Sequence, residues 1–240
     1  MSVTHYNTWA EYAVVPEEWL IPLPASFPIE KAAQFMNLIT GWDLVEESRV
    51  QPGQWLLVTA GNSTVAMIAL QFAKRKGARV VSVLRSTWQG LNLRSLGADE
   101  VIELSATTEN VGDLASRLTK GAGINAVIDC VGGPLLSQLI GALAANGQVV
   151  IYGGFGGEKF ELHNFDLLMK GATIKSYIYR YFFSPPPKED EAFIRGIIEA
   201  SGSDSFQIPL AGFYSLDEFK TVVEASVFQP AQGKRMFRMR

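Results

Sequence analysis

Residues 55–86, WLLVTAGNSTVAMIALQFAKRKGARVVSVLRS, have the pattern of a strand, a tight turn, a helix and a second strand that ends on an arginine. The apolar run before the turn is typical of a buried strand, and the segment after it has the i, i+3, i+4, i+7, i+8 spacing of a helix with one apolar stripe. The residues of that stripe are Val65, Ile68, Ala69, Phe72 and Ala73. The stretch therefore predicts a βαβ unit whose helix begins beside the carboxyl end of its first strand.

The turn in this unit has the features of a phosphate-binding loop. A helix N-terminus presents unpaired N–H groups and a partial positive charge, which suit a pyrophosphate if the loop backbone can come close. Gly61, Asn62 and Ser63 permit that approach, while Ala66 stands where the usual glycine fingerprint has its third glycine. Taken alone, the loop is a weak indication of a dinucleotide site.

The end of the second strand indicates which dinucleotide would bind. About 20 residues beyond the glycine turn, an acidic residue binds the ribose 2′-hydroxyl of NAD, whereas an arginine accommodates the 2′-phosphate of NADP. Arg85 and Ser86 occupy this place, and no carboxylate does. We therefore favour NADPH as the cofactor; the alternative is that Arg85 is a solvated residue at a strand end.

Further apolar runs extend the unit into a larger sheet. Strands are predicted at 55–60, 79–84, 100–104, 126–131, 148–153 and 173–183, with helices between them at 63–76, 87–96, 111–119 and 134–145. Apolar strands that alternate with helices predict a parallel sheet covered on both faces, so the fold class is α/β with a doubly wound, Rossmann-type sheet. In the last run, Tyr177, Tyr179 and Tyr181 alternate, which favours a packed strand face over a substrate wall.

The remaining segments are shorter. Residues 1–29 hold extended segments interrupted by prolines, which predict edge strands and turns. Helical spacing follows over 29–49 and again at about 189–201. The stretch 206–240 predicts a strand, a helix and a strand.

Composition excludes several classes of protein. With 48% hydrophobic and 19% charged residues, the 240-residue chain has the profile of a soluble globular protein. A net charge of −3 gives no attraction to nucleic acid or anionic lipid, and no apolar run reaches the ~18 residues of a membrane span. With one cysteine, Cys130, an internal disulfide and a multi-cysteine zinc site are excluded. No signal peptide is evident, so we expect a cytoplasmic protein with neither nucleic-acid nor membrane partners.

Several single residues have plainer interpretations than a catalytic one. Cys130 follows a buried strand and is predicted to be a small packed residue rather than a nucleophile. His5 and His163 lack a matching acid motif and are predicted to lie in loops or at the surface. Asp129 ends a strand at the carboxyl edge, where it either orients a loop or touches a ribose; the sequence leaves both open.

In their order, these motifs resemble the medium-chain dehydrogenase/reductase superfamily, in its zinc-free quinone oxidoreductase and 2-enoyl thioester reductase branch. The resemblance is carried by WAEYAVVPEEWLIPLP, VQPGQWLLVTAGNSTVA, SLGADEVIE, AVIDCVGG, LAANGQVVIYGG and QGKRMFRM, and it runs over nearly the whole chain. It implies an NADPH-dependent reductase that passes hydride to a small-molecule substrate, either an enoyl thioester or a quinone. A homodimer formed through the strand near Ile174–Tyr177 is also implied.

The resemblance further implies a set of cofactor-binding residues. They are Gly61, Asn62, Ser63, Val65, Arg85, Ser86, Val131, Gly132, Tyr152, Gly153 and Gly154. The first four would line the pyrophosphate, Arg85 and Ser86 would meet the adenosine phosphate, and the rest would border the path from adenine to nicotinamide. Residues 179–183 would stand near the nicotinamide or the subunit boundary. No catalytic residue is assigned.

By the same resemblance, 30–178 form the Rossmann domain, 1–29 part of a GroES-like catalytic domain, and 179–240 a helix and strands that return to it. Met36 falls near the place of a cysteine ligand in zinc-dependent members, so no metal site is expected. Most of the GroES-like domain has no counterpart in this sequence. An alternative function is therefore a shortened relative that binds nucleotide without turnover, or a fragment of an active parent.

Overall fold

The computed structural model of the protein describes residues 8–87, 90–107, 109–228 and 233–239. The chain divides into two compact units, one of Gly41–Ile178 and the other of residues 1–40 with 179–240, so far as they are described. No helix in these ranges is long and apolar enough to cross a membrane. The assignment of residues 1–29 and 179–240 to a GroES-like domain stays a prediction.

The unit of Gly41–Ile178 is built on a six-stranded parallel sheet. Its strands are β1 Trp55–Val58, β2 Arg79–Leu84, β3 Glu100–Glu103, β4 Ile124–Asp129, β5 Leu143–Ile151 and β6 Thr173–Ser176. They lie in the order β3-β2-β1-β4-β5-β6, so the chain starts at the centre and winds outward in both directions. This order confirms the doubly wound α/β fold predicted from the alternation of strands and helices.

Helices cover both faces of this sheet. They are α2 Phe35–Ser48, which begins before the unit boundary, α3 Thr64–Arg75, α4 Val111–Leu118, α5 Gly133–Gly141 and α6 Asn164–Leu168; α1, Ile29–Ala32, belongs to the other unit. On one face Leu57, Val127 and Val149 share an apolar cluster with α4 and α5. Their neighbours Leu56 and Ile128, which point to the other face, are also fully buried.

The helix after the phosphate loop is buried more widely than its predicted single stripe. Leu70 and Met67 are buried together with four of the predicted apolar residues, while the fifth, Val65, is half-buried. The predicted stripe is covered at Ile68 by α2, since a Cβ atom at Gly41 would stand 2.4 Å from Cγ2 of Ile68. Glycine at this position lets the two helices touch, so α3 is enclosed between the sheet and α2.

The prediction of a helix at 87–96 is wrong for the residues that the structure describes. Trp88 and Gln89 lie outside those residues. Residues 93–97 form turns instead, and residues 91–92 have no regular structure. The Asn92 side chain accepts a hydrogen bond from the backbone N–H of Ser95, and the Ser95 hydroxyl donates to the carbonyl of Asn92. Such local bonds compete with helical ones, and they outweigh the apolar spacing here.

The alternating tyrosines do not continue the last strand as predicted. β6 ends at Ser176 because its neighbour β5 ends at Ile151, whose carbonyl takes a last bond from the N–H of Tyr177. Beyond that point no strand among the described residues pairs with this segment. The rings of Tyr179 and Tyr181 meet edge to face with centroids 5.8 Å apart, so they pack on each other rather than on a shared strand face.

The second unit combines short elements near both ends of the chain. They are α7 Glu191–Ser201, α8 Phe219–Phe228 and a parallel pair of strands, β7 Leu210–Tyr214 and β8 Lys234–Phe237. The strand, helix and strand predicted at the end of the chain are confirmed. The edge strands predicted within 1–29 are wrong for residues 8–29, which contain only a single bridge at Ile21, because prolines withhold the N–H groups that a ladder needs.

The loop after β1 is packed against β2 with no space for a side chain. A Cβ atom at Gly61 would lie 1.8 Å from Oγ of Ser82, and the Gly61 N–H donates to the carbonyl of Val83 over 2.8 Å. The Ser82 hydroxyl is buried and has no hydrogen-bond partner among the described residues. Glycine is therefore required for steric reasons at the start of the phosphate loop.

Substituting Gly61→Ala should lower the free energy of unfolding by about 1–3 kcal/mol, since the added methyl group must displace Ser82. Ser82→Ala should be neutral or slightly stabilising, because it removes a buried hydroxyl that has no partner. Urea unfolding measures both changes. The double variant should lose less than the sum of the single losses, and strict additivity would contradict this packing.

Candidate functional site

The predicted cofactor-binding residues lie in four loops at the carboxyl edge of the sheet. These loops follow β2, β1, β4 and β5, four strands that lie side by side in this order in the sheet. The loops at this edge are 59–63, 85–87, 130–133 and 152–157. Because the strands are parallel and adjacent, their ends meet at one edge, where an open α/β sheet binds its ligands.

The start of α3 presents donors toward this edge. Ser63 is the N-cap of the helix, and its hydroxyl accepts a bond from the N–H of Ala66 over 3.2 Å. This cap takes up one first-turn N–H group, whereas those of Thr64 and Val65 have no acceptor within the described ranges. The helix N-terminus can therefore bind an anion.

Asn62 connects the loop after β1 with the loop after β2. Its side-chain amide donates to the backbone carbonyl of Ser86 over 3.2 Å. That Asn62 lines a pyrophosphate stays a prediction; the contact that the structure shows for its side chain is the one with Ser86. The two loops are consequently held side by side.

Arg85 lies exposed at the end of β2. Its guanidinium forms no ion pair with any carboxylate in the part of the chain that the structure describes. A nearby acid, Glu103, is already engaged by the N–H and hydroxyl of Thr87 and by the hydroxyl of Ser105. The Thr87 N–H is the main cause that lowers the pKa of Glu103, so this carboxylate is an occupied acceptor at neutral pH.

Sequence reasoning missed Glu103, because it belongs to β3 and not to the unit that carries Arg85. The register of the sheet places it opposite Leu84, directly before Arg85. No spacing rule in a single sequence indicates such a neighbour. The distance in sequence, not the residue type, concealed it.

Tyr152 contributes an unpaired donor to the same edge. Its hydroxyl is buried close to the side chains of Ser63 and Cys130, yet it makes no hydrogen bond of acceptable geometry among the described residues. Burial raises the pKa of Tyr152 well above its ordinary value, so the hydroxyl keeps its proton at neutral pH. A buried donor without a partner is costly unless a ligand or water satisfies it.

The turns after β4 and β5 place backbone close to this edge. Gly132 has a φ of 75°, which favours glycine, and it is the N-cap of α5. A Cβ atom at Gly153 would stand 3.0 Å from Cβ of Cys130, so the two turns are in contact. Val131 lies between them half-buried, and Gly154 has open space where a side chain would be.

These features fit an anionic ligand that is rich in hydrogen-bond acceptors. The helix start, the free guanidinium of Arg85 and the unsatisfied hydroxyl of Tyr152 are all donors at one edge. Within the described residues, no three side chains of His, Cys, Asp or Glu come together to hold a metal ion. The absence of a zinc site stays a prediction.

A family profile described as zinc-binding dehydrogenase matches residues 64–194, more than half of the chain. The chain belongs to this family. It is accordingly a member of the medium-chain dehydrogenase/reductase superfamily, as the motifs indicated, and the match covers the sheet strands from β2 to β6.

Several relatives are named as reductases. The chain is 24% identical over 238 residues to the mitochondrial enoyl-[acyl-carrier-protein] reductase of Yarrowia lipolytica, covering 96% of this chain and 63% of that protein. For the enzyme of that name from Homo sapiens the identity is 26% over 242 residues, with 97% and 64% covered. The crystal structure of Escherichia coli quinone oxidoreductase complexed with NADPH shares the fold, with a TM-score of 0.77 at 20% identity over 92% of this chain and 68% of that one. The chain thus spans under two thirds of these enoyl reductases.

Of the three remaining candidates for chemistry, the two that the structure describes have plainer interpretations than catalysis. His163 is exposed, and its Nδ1 accepts a bond from the N–H of Phe165 at the start of α6. His5 lies outside the described residues. Cys130 is 1% exposed, and burial is the main cause that raises the pKa of its thiol.

We expect Cys130 to react slowly with a thiol reagent at pH 7, because the reactive thiolate is rare when the pKa is raised and the sulfur is buried. The rate should rise with pH later than that of a free cysteine. Absorbance of the released leaving group measures labelling, with the denatured chain as the fully reactive control. Rapid labelling of the folded chain at neutral pH would contradict the assignment.

Proposed function

We propose that the chain binds NADPH at the carboxyl edge of its sheet and acts as an oxidoreductase. The observation that carries the proposal is the exposed guanidinium of Arg85, which pairs with no described carboxylate and lies on a loop that Asn62 ties to the start of α3. A phosphate monoester is a strong partner for such a group. The reductase names of the relatives support a nicotinamide cofactor.

The chain's own residues would hold the parts of the dinucleotide. The N–H groups of Thr64 and Val65 would bind the pyrophosphate, and Arg85 with Ser86 would bind the 2′-phosphate. Tyr152, which keeps its proton, would donate its hydroxyl to a ligand oxygen. The low side-chain volume at Gly153 and Gly154 would admit a ring close to the backbone. When bound, a nicotinamide supplies hydride, while the protein supplies orientation and excludes water.

For the substrate we propose an enoyl thioester or a quinone, on the names of the relatives. Reduction of either requires a hydrogen-bond donor at the oxygen that gains charge and a source of a proton. No described residue is assigned to these roles. The alternative function is nucleotide binding without turnover.

Titration of the purified chain with NADPH and with NADH, followed by nicotinamide fluorescence and thermal stability, tests the proposal. Binding with a preference for NADPH supports it, and binding of neither dinucleotide overturns it. Oxidation of bound NADPH is then measured with an enoyl thioester and with a quinone. Tight binding without turnover of either class favours the alternative function.

A homodimer formed through Ile174–Tyr177 is kept as a proposal. β6 is an edge strand, paired within the described sheet only with β5, so its outer side can pair with a second copy. Light scattering of the purified chain measures the mass in solution. The cytoplasmic location stays a prediction. The names of the enoyl reductases from Yarrowia lipolytica and Homo sapiens describe those two proteins as mitochondrial.

Arg85→Ala should raise the Kd for NADPH about tenfold or more, since it removes a charge-assisted contact to the 2′-phosphate. The Kd for NADH should change little. Fluorescence titration measures both constants, with Arg79→Ala at the amino end of the same strand as a control. An equal loss for both cofactors would remove the basis of the 2′-phosphate assignment.

Ser63→Asp should weaken the binding of NADPH and NADH alike, by about tenfold, because a carboxylate at the helix start repels the pyrophosphate. The thermal midpoint should be maintained, since aspartate is itself a good N-cap. Ser63→Asn is the matched control, a cap of similar size without charge. Unchanged dinucleotide affinity in the aspartate variant would exclude the pyrophosphate from the start of α3.

A further inference from the structure

Asp129, the last residue of β4, is a fully buried carboxylate. Its Oδ1 accepts the hydroxyl of Thr59 over 2.7 Å and the N–H of Val131 over 3.3 Å. Its Oδ2 accepts the N–H of Gly132 over 2.9 Å. Because these three donors come from the protein and the carboxylate is enclosed, Asp129 orients a loop and does not touch a ribose.

The hydroxyl of Thr59 is used twice in this arrangement. It donates to Asp129, and its oxygen accepts the N–H of Cys130 over 3.1 Å. The backbone N–H of Thr59 in turn donates to the carbonyl of Ile128 over 3.0 Å. The loop after β1 is therefore joined to the loop after β4 by side-chain and backbone bonds, all inside the protein.

The loop after β5 depends on the same turn. Three successive carbonyls, those of Asp129, Cys130 and Val131, accept the N–H groups of Tyr152, Phe155 and Gly156 over 2.9, 2.9 and 2.8 Å respectively. A Cβ atom at Gly156 would also lie 2.8 Å from the Val131 carbonyl oxygen. A shift in the turn that Asp129 holds is thus passed directly to residues 152–156.

From this geometry we infer that Thr59 and Asp129 are positioning residues, which fix the turns after β1, β4 and β5 in the arrangement that receives the dinucleotide. This inference rests on the proposed function for the identity of the ligand. Neither side chain meets the ligand; both act through the backbone of Val131, Gly132 and residues 152–156. Loops held in place before binding do not have to be ordered by the ligand, which raises affinity.

Thr59→Val keeps the volume of the side chain and removes both hydroxyl bonds. The Kd values for NADPH and for NADH should rise by the same factor, about tenfold, so that their ratio stays unchanged. Thr59→Ser, which retains the hydroxyl, should restore wild-type affinity. A ratio that shifts, or an affinity within about twofold of wild type in Thr59→Val, would overturn the inference.

Thr119→Val is a matched control at the opposite edge of the sheet. Like Thr59, Thr119 is buried and uses its hydroxyl twice: it donates to the backbone carbonyl of Ser116, where Thr59 donates to a carboxylate, and it accepts the N–H of Gly123. This variant should lose stability as Thr59→Val does while keeping its affinity for both dinucleotides. An equal loss of affinity in both variants would mean that general destabilisation, not positioning, weakens binding.

Hydrogen exchange separates a failure of this inference from a failure of the proposed function. In the absence of ligand, Thr59→Val should speed exchange at the amides of Val131, Gly132 and Tyr152, and Thr119→Val should not. If the wild-type chain binds no dinucleotide but this exchange pattern appears, the positioning role stands and the proposed ligand is wrong. Unchanged exchange overturns the positioning role.

If Thr59→Val yields no folded protein, Asp129→Asn serves as the second variant. It replaces one acceptor oxygen with an N–H donor that faces donors already present, while the size of the side chain is kept. The same uniform loss of affinity and the same faster exchange are expected. Affinity and exchange that match the wild type would overturn the role of Asp129.

Discussion

The parallel pairing of β1 with β2 on one side and β4 on the other determines where the candidate site lies. Val58 stands in register with Ser82 and with Ile128, so the chain leaves all three strands at the same edge. Turns that are far apart in the sequence meet there: Thr59 bonds Asp129, which is 70 residues away. Every further feature of the site depends on this alignment.

Two kinds of polar group occupy this edge. Asp129 and the hydroxyl of Thr59 are buried and satisfied by the protein, so they stabilise the turns. Arg85 is exposed and pairs with no described carboxylate, whereas the Tyr152 hydroxyl is buried close to Ser63 and Cys130. The bonds that support the turns are thus complete within the protein, while the guanidinium at this edge has no described carboxylate partner. Such an edge is pre-organised for an anionic molecule.

The prediction from sequence succeeded where the apolar periodicity meets no competing side-chain hydrogen bond. The run at 79–84 became β2 with the same bounds, and the helix expected at 63–76 begins at Thr64 and ends at Arg75. It failed where a competing contact decides, as at 87–96, where Asn92 and Ser95 bond the local backbone instead of continuing a helix. The tyrosines after β6 failed differently, because the neighbouring strand ends and leaves no ladder to extend.

The sequence by itself determined the alternation of β1, α3 and β2, the glycine at position 61 and the arginine at the end of β2. Periodicity, turn residues and spacing along one βαβ unit are properties of neighbouring residues, so they can be read without coordinates. Only the tertiary structure decided that Asp129 bonds Thr59, that Glu103 is occupied beside Arg85, and that the Tyr152 hydroxyl is buried without a partner. These facts depend on which distant strands become neighbours, and the parallel sheet sets that through contacts across dozens of residues.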